Sequence, residues 1–265
     1  MNLAGARVLI TGASSGVGAA TARVMAGAGA RLVLTGRDRR RLEAVAAETR
    51  GRAFVCDIAT EADSLAEDAG SVDVLVNNAG VGWAGPFAQM PQDALERLVE
   101  VNLTAPIRLT RLLLPGMIEN GQGHILFVAS IAGAIGVGQE AVYSATKAGL
   151  LTFAEALRHE LHRSPGSGTR RDGSHENGSR GNGSRGIGVS VLLPGVVDTP
   201  FFDRRGAPYA RRRPAPIPPE RVARAIVAAI RHDRPESYVP GWLRLPARLR
   251  GAAPGPFRAL ARRFG

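Results

Sequence analysis

The chain contains a single lysine. Of its 34 basic residues, 33 are arginine and Lys147 stands alone. It also has one cysteine, Cys56, which excludes an internal disulfide framework and fits a reducing, cytoplasmic setting. Cys56 reads as a small buried apolar residue, not as a nucleophile. No uninterrupted apolar stretch reaches about 18 residues, and no basic segment precedes the first apolar run. Neither a spanning helix nor a signal peptide is therefore expected. Of the five histidines, His159 and His162 lie three apart with no further ligand in view. That reads as a solvated helix face, and no metal site is expected. Acidic residues are scarce at one end only. Residues 204–265 hold 15 arginines and 3 acids, a net of +12, whereas residues 1–203 have a net of −1. The main body is neutral, which argues against a nucleic-acid-binding body and leaves the basic end as an interacting tail.

What is present is enough for a substantial core: 265 residues, 45% of them hydrophobic. RVLIT (7–11) reads as a buried strand that stops at Gly12. A helix over about 19–28 follows and ends at Gly29. RLVLT (31–35) is a second strand, and DRRRLEAVAAE (38–48) is a helix with Asp38 as its N-cap. RAFVCD is a third strand, followed by a short acidic helix and then VDVLVNNAG as a fourth. One long helical pattern covers about 91–117. HILFVAS (124–130) is the fifth strand, and a second long helix covers about 141–163. IGVSVLLPG (187–195) and a helix at 219–233 complete the series. This alternation specifies an α/β fold with a parallel sheet covered by helices on both faces. Two segments break the rhythm. Residues 164–186, rich in Gly, Ser, Asn and Arg, read as a flexible inserted surface loop within a domain spanning 1–240. The remainder, 241–265, is a basic, weakly amphipathic tail whose Phe257, Leu260, Ala261 and Phe264 recur at helical spacing. It is expected to pack on the body, with dimer contacts or an anionic membrane surface as the other options.

The first strand runs into TGASSGVG (11–18), where Gly12, Gly16 and Gly18 permit a sharp turn and close approach of a ligand to the backbone. A helix opening there directs its free N–H groups at a pyrophosphate. At the end of the second strand stand Thr35, Gly36 and Arg37, with Asp38 one step later. The place where an acid would accept a ribose hydroxyl holds none. Arg37 is well set for a 2′-phosphate, so NADP is favoured over NAD.

With TGASSGVG, NNAG (77–80), Ser130 and YSATK (143–147) in this order, the chain resembles the classical short-chain dehydrogenase/reductase family from about Arg7 to Val239. The resemblance implies a single Rossmann-type doubly wound parallel sheet of about seven strands and a nicotinamide cofactor. It also implies a homodimer or homotetramer acting on a small carbonyl or alcohol substrate. Tyr143 then corresponds to the general acid/base. Lys147, one helical turn on, would bias its phenol and reach the ribose. That would account for the single lysine, since a rigid guanidinium fork would fit the task poorly. Ser130 corresponds to the substrate-orienting serine, and Asn102, inside VNLTAP, to the asparagine that holds a water in a proton relay. For the cofactor, the resemblance implies contacts from Ser14, Ser15 and Val17 beside the glycines. Asp57 would meet the adenine amino group, Asn78 with Ala79 would lie beside the adenosine ribose, and Ile58 and Gly80 would join the cofactor contacts. Val197 and Thr199 would hold the carboxamide. The segment after Pro200, FFDRRGAPYARRRPAPIP, suggests a mobile lid over an apolar or acidic-tailed substrate. A non-catalytic NADP-binding sensor or scaffold is the alternative, although it would normally lack a catalytic residue and none is missing.

Overall fold

Alternating strands and helices can bury both faces of a sheet only if successive strands run parallel and the helices cross over it. The protein's structure, a computed structural model, describes residues 1–163, 186–207 and 214–264. Its seven strands are β1 (Arg7–Thr11), β2 (Arg31–Gly36), β3 (Arg52–Val55), β4 (Val74–Asn77), β5 (Gly123–Val128), β6 (Ile187–Pro194) and β7 (Glu236–Val239). All pair in parallel, in the order β3-β2-β1-β4-β5-β6-β7. The helices in chain order are α1 (Gly16–Gly27), α2 (Arg39–Thr49), α3 (Ala62–Ala69), α4 (Gln92–Val99), α5 (Ala105–Glu119) and α6 (Ile131–Ile135). They continue with α7 (Ala141–Arg163), α8 (Phe201–Arg204), α9 (Pro219–Arg231), α10 (Arg244–Ala252) and α11 (Pro254–Phe264).

Side chains alternate across each strand, and the core divides accordingly. Val8, Ile10, Val74, Val76, Leu126 and Leu192 meet Ala22 and Met25 of α1 and Val222 and Ile226 of α9. Leu9, Leu75, Ile125, Phe127, Val191 and Leu193 meet Leu65 of α3, Leu109 of α5 and Leu150 of α7. The strand order reverses between β1 and β4, so the loops after these strands part and leave a crevice at their carboxyl ends.

The expected elements are present, with four refinements. The helix drawn over 91–117 is α4 and α5 joined by a π-helical turn at Glu100–Thr104. The cause is local: Pro106 has no N–H to offer the carbonyl of Asn102, the acceptor an α-helix would assign it. β7 and α6 carry too few residues to leave a periodic signal. The tail, expected as a weakly amphipathic segment, forms the two helices α10 and α11. It packs on the body, with Arg250 donating to the Ala134 carbonyl at 2.6 Å. The inserted stretch lies outside the described residues except for Gly186, as does 208–213 of the segment expected to form a lid. Asp38 caps α2 as expected, accepting from the Arg41 N–H at 3.0 Å.

Candidate active site

At the crevice lies one cleft of about 1430 Å³. One half is built largely from backbone. β1 delivers the chain to Gly12, whose φ of +68° is left-handed and strains any residue with a Cβ. A Cβ there would also stand 2.8 Å from Cα of Ala79, so the loop after β1 and the one after β4 touch through it. At Gly18 a Cβ would lie 2.2 Å from the Gly12 carbonyl oxygen and 2.6 Å from Nδ2 of Asn78. Thr11 fastens the same junction. Its hydroxyl accepts from the N–H groups of Asn78 and Ala79, both at 3.0 Å, and donates to the Val76 carbonyl at 3.4 Å. Nδ2 of Asn78 donates back to the Thr11 carbonyl at 2.9 Å. The result is a glycine-floored cradle opening on the N-terminus of α1, a fit for a dinucleotide pyrophosphate. Thr11 and its two amide bonds were not foreseen, although the residue heads the quoted motif.

Ser14, Ser15, Gly16 and Val17 line this half, as do Arg37, Asp57, Ile58, Asn78, Ala79 and Gly80. Gly18 lies behind it, as the spacer described above. Asp38 is fully engaged: besides capping α2 it takes the Arg41 guanidinium, whose Nε lies at 2.7 Å. The Arg41 amide and guanidinium hold its carboxyl below the ordinary value. At Asp57, burial pushes the carboxyl up. The Arg97 guanidinium at 2.5 Å and the Ala59 N–H at 3.1 Å outweigh that and hold it lowered. Thr199 closes this half from the other side, its methyl 3.0 Å from where a Gly16 Cβ would be. Val197, buried, forms a parallel bridge to Ile217.

The other half is built from side chains. Ser130 caps α6, its hydroxyl accepting from the Ala132 N–H at 3.1 Å. α6 lies tight against α7 at Gly133, where a Cβ would stand 2.6 Å from the Lys147 carbonyl carbon. That close crossing brings the Ser130 hydroxyl near the Tyr143 phenol, whose proton it helps release. One turn along α7, Lys147 is buried with Nζ 3.0 Å from the Val128 carbonyl, to which it donates. Nζ stands 5.8 Å from the Tyr143 ring centre. Burial pushes the phenol up to about 12, partly opposed by the Ser130 hydrogen bond, and holds the lysine down at about 8. In the protein alone, desolvation sets the direction of the shift at Tyr143. Burial wins, and the phenol keeps its proton. Asn102 is buried behind this row. Its amide exchanges both hydrogen bonds with the Val81 backbone, at 2.8 and 2.9 Å, and Gly80 lies between it and Lys147. The side chain is thus held by the main chain of Val81.

The remaining wall is apolar with one charged clasp. Phe201 packs on the Tyr143 ring at 5.6 Å between centres. Arg205 pairs with Glu140, their side chains only 10% and 14% exposed, and its guanidinium stands 4.6 Å from the Phe202 ring centre. Burial lowers the Arg205 pKa. Both residues line the cleft, and neither was singled out in the sequence. Among the described residues no cluster of His, Cys, Asp or Glu could hold a metal ion, and no helix is long and apolar enough to cross a membrane.

A family model described as short chain dehydrogenase matches residues 6–165. Ketoacyl reductase HetN of Nostoc sp. is 35% identical over 253 residues, covering 89% of this chain and 79% of that protein. Dehydrogenase/reductase SDR family member 7B of Mus musculus is 37% identical over 177 residues, or 61% of this chain. The match spans 55% of the mouse protein, about half its length. A solved short-chain dehydrogenase from Sphingobium yanoikuyae in complex with NADPH is 30% identical, with a TM-score of 0.75 over 89% of this chain and 88% of that one. A 3-ketoacyl-(acyl-carrier-protein) reductase from Brucella melitensis complexed with NADH is 29% identical, with a TM-score of 0.75 over 89% and 96%.

Proposed function

Because the chain belongs to the short-chain dehydrogenase/reductase family, we propose that it is an NADP-dependent oxidoreductase that interconverts a carbonyl compound and its alcohol. The observation that carries this reading is the contiguous Ser130–Tyr143–Lys147 row at the floor of the same cleft that holds the glycine cradle. A nicotinamide held in this cleft would supply the hydride chemistry at the carbonyl carbon. The chain's own residues manage the oxygen. The Tyr143 O–H donates its proton to that oxygen as charge develops on it, and the Ser130 hydroxyl donates a second hydrogen bond that orients it. The phenol carries its proton at neutral pH, and burial raises it further, so it is in the donor form that reduction uses. Lys147 is held on the Val128 carbonyl at 3.0 Å, where its charge favours the phenolate left after transfer. Phe201 and its neighbours exclude water from the reacting carbon.

NADP is favoured because Asp38 is occupied by Arg41 and the α2 cap, while Arg37 stands exposed at the rim of the cleft. The NADPH complex of one relative agrees, and the NADH complex of another makes the comparison worth measuring. Ser14, Ser15, Val17, Asp57, Ile58, Val197 and Thr199 would complete the cofactor site, and a homo-oligomer is expected by analogy.

The test is loss of reduced-nicotinamide absorbance with NADPH and NADH in parallel, against aldehydes, ketones, quinones and 3-oxoacyl thioesters. The Nostoc relative's name makes the last of these the first choice. NADPH-dependent turnover is expected, with Tyr143→Phe keeping cofactor affinity while losing at least about 100-fold in kcat. Comparable turnover in that variant would remove Tyr143 from the mechanism.

A further inference from the structure

After β7 the chain passes through a 3₁₀ turn (Gly241–Leu243) into α10. Two contacts fix which way this segment faces. Leu243 is buried, with Cδ1 only 3.0 Å from where a Cβ on Gly195 would lie. Arg250 reaches back to the Ala134 carbonyl at 2.6 Å. The opposite side carries Trp242, Leu245 and Leu249, which are 52%, 70% and 40% exposed. Their spacing of three and four places them in one row. Beside it runs a second row, Arg244 and Arg248, also exposed.

An exposed Trp-Leu-Leu row next to an arginine row has a specific complement. From Gly241 to the last residue the sequence holds six arginines and no acid, while residues 1–203 have a net charge of −1. The positive field is therefore local to this segment. A protein partner selected by the apolar row alone would not require charge of one sign, and a polyanion selected by the arginines alone would not require three exposed apolar side chains. An anionic bilayer uses both. The indole and leucines enter the headgroup boundary, and the guanidiniums meet lipid phosphates.

We propose that α10 and the turn before it dock this chain on anionic membrane surfaces. α10 packs on α6, whose cap is Ser130, and α11 contributes Phe257 to the cleft lining.

The experiment is co-sedimentation of the full chain with phosphatidylcholine vesicles, with and without about one third phosphatidylglycerol. The expected result is binding to the anionic vesicles only, weakening about tenfold as salt rises from about 0.05 to about 0.5 M. The triple variant W242S/L245S/L249S should lose at least about tenfold in vesicle affinity while keeping its NADPH-dependent turnover of a water-soluble carbonyl. The pair R244Q/R248Q should lose the preference for anionic lipid. Three outcomes would overturn the proposal. One is no preference for anionic vesicles. A second is a triple variant that binds as the parent does, which would make the attraction purely electrostatic, as for RNA. The third is a triple variant whose mass by light scattering falls to the monomer while vesicle binding is unmoved, which would make the row an interface between copies.

Discussion

The two halves of the cleft are made in different ways. The cofactor half is backbone against backbone: Gly12 on Ala79, Gly18 on the Gly12 carbonyl, and Thr11 taking two amides. The substrate half is side chain against side chain. Ser130 meets Tyr143, Phe201 covers the same ring, and Glu140 clasps Arg205. A site for an invariant ligand can be rigid and built from main chain, with glycines setting the approach. A site for a particular substrate is assembled from segments that meet only in the fold.

The sharpest way to break this comparison is Gly18→Val. A Cβ 2.2 Å from the Gly12 carbonyl oxygen has no side chain to displace, so the loop itself must move. Cofactor affinity should fall at least about 100-fold in a fluorescence titration, with the sheet retained by circular dichroism. Gly27, in the same helix, meets nothing within 4 Å, so Gly27→Ala should leave binding unchanged. Equal behaviour of the two variants would mean the cradle is not built on close approach.

On the substrate side the corresponding lever is Glu140→Gln. It leaves the Arg205 guanidinium largely buried without its carboxylate, at a cost of about 3 kcal/mol in denaturant unfolding. Because the pair ties the turn before α7 to the segment after Pro200, KM for the carbonyl substrate should rise several-fold while NADPH affinity holds. A change in cofactor affinity instead would mean the two halves are one mechanical unit.

The same contrast explains which parts were legible in sequence. Glycines, the Asp38 cap and the Tyr143–Lys147 pair are local patterns, and each stands where its spacing put it. The π-helical turn at Glu100–Thr104 was hidden inside an unbroken apolar period, although Pro106 was its signal. Gly133 carried no signal in the sequence, yet it sets the distance between α6 and α7. Arg205 was one arginine among 33, and only burial beside Glu140 distinguishes it. The direction of the Tyr143 shift was not legible in sequence for a related reason. Sequence proximity suggested the lysine, whereas desolvation, a property of the whole fold, dominates.

That last point carries the smallest effect. Burial moves Lys147 from its ordinary 10.5 to about 8. Between those values the unfolded chain keeps a proton that the folded chain has released, so stability rises with pH from about 8 to about 10.5 and the full penalty is present below 8. The penalty is about 3 kcal/mol, and the hydrogen bond to Val128 offsets part of it. Lys147→Met should therefore stabilise the fold at pH 7 by about 1 to 2 kcal/mol and flatten the rise above pH 8, measured by urea unfolding. Reductase activity of the parent should fall as pH passes about 8, where the charge that favours the phenolate is lost. A Lys147→Met protein less stable than its parent at pH 7 would show that the buried ammonium is compensated by more than the Val128 carbonyl.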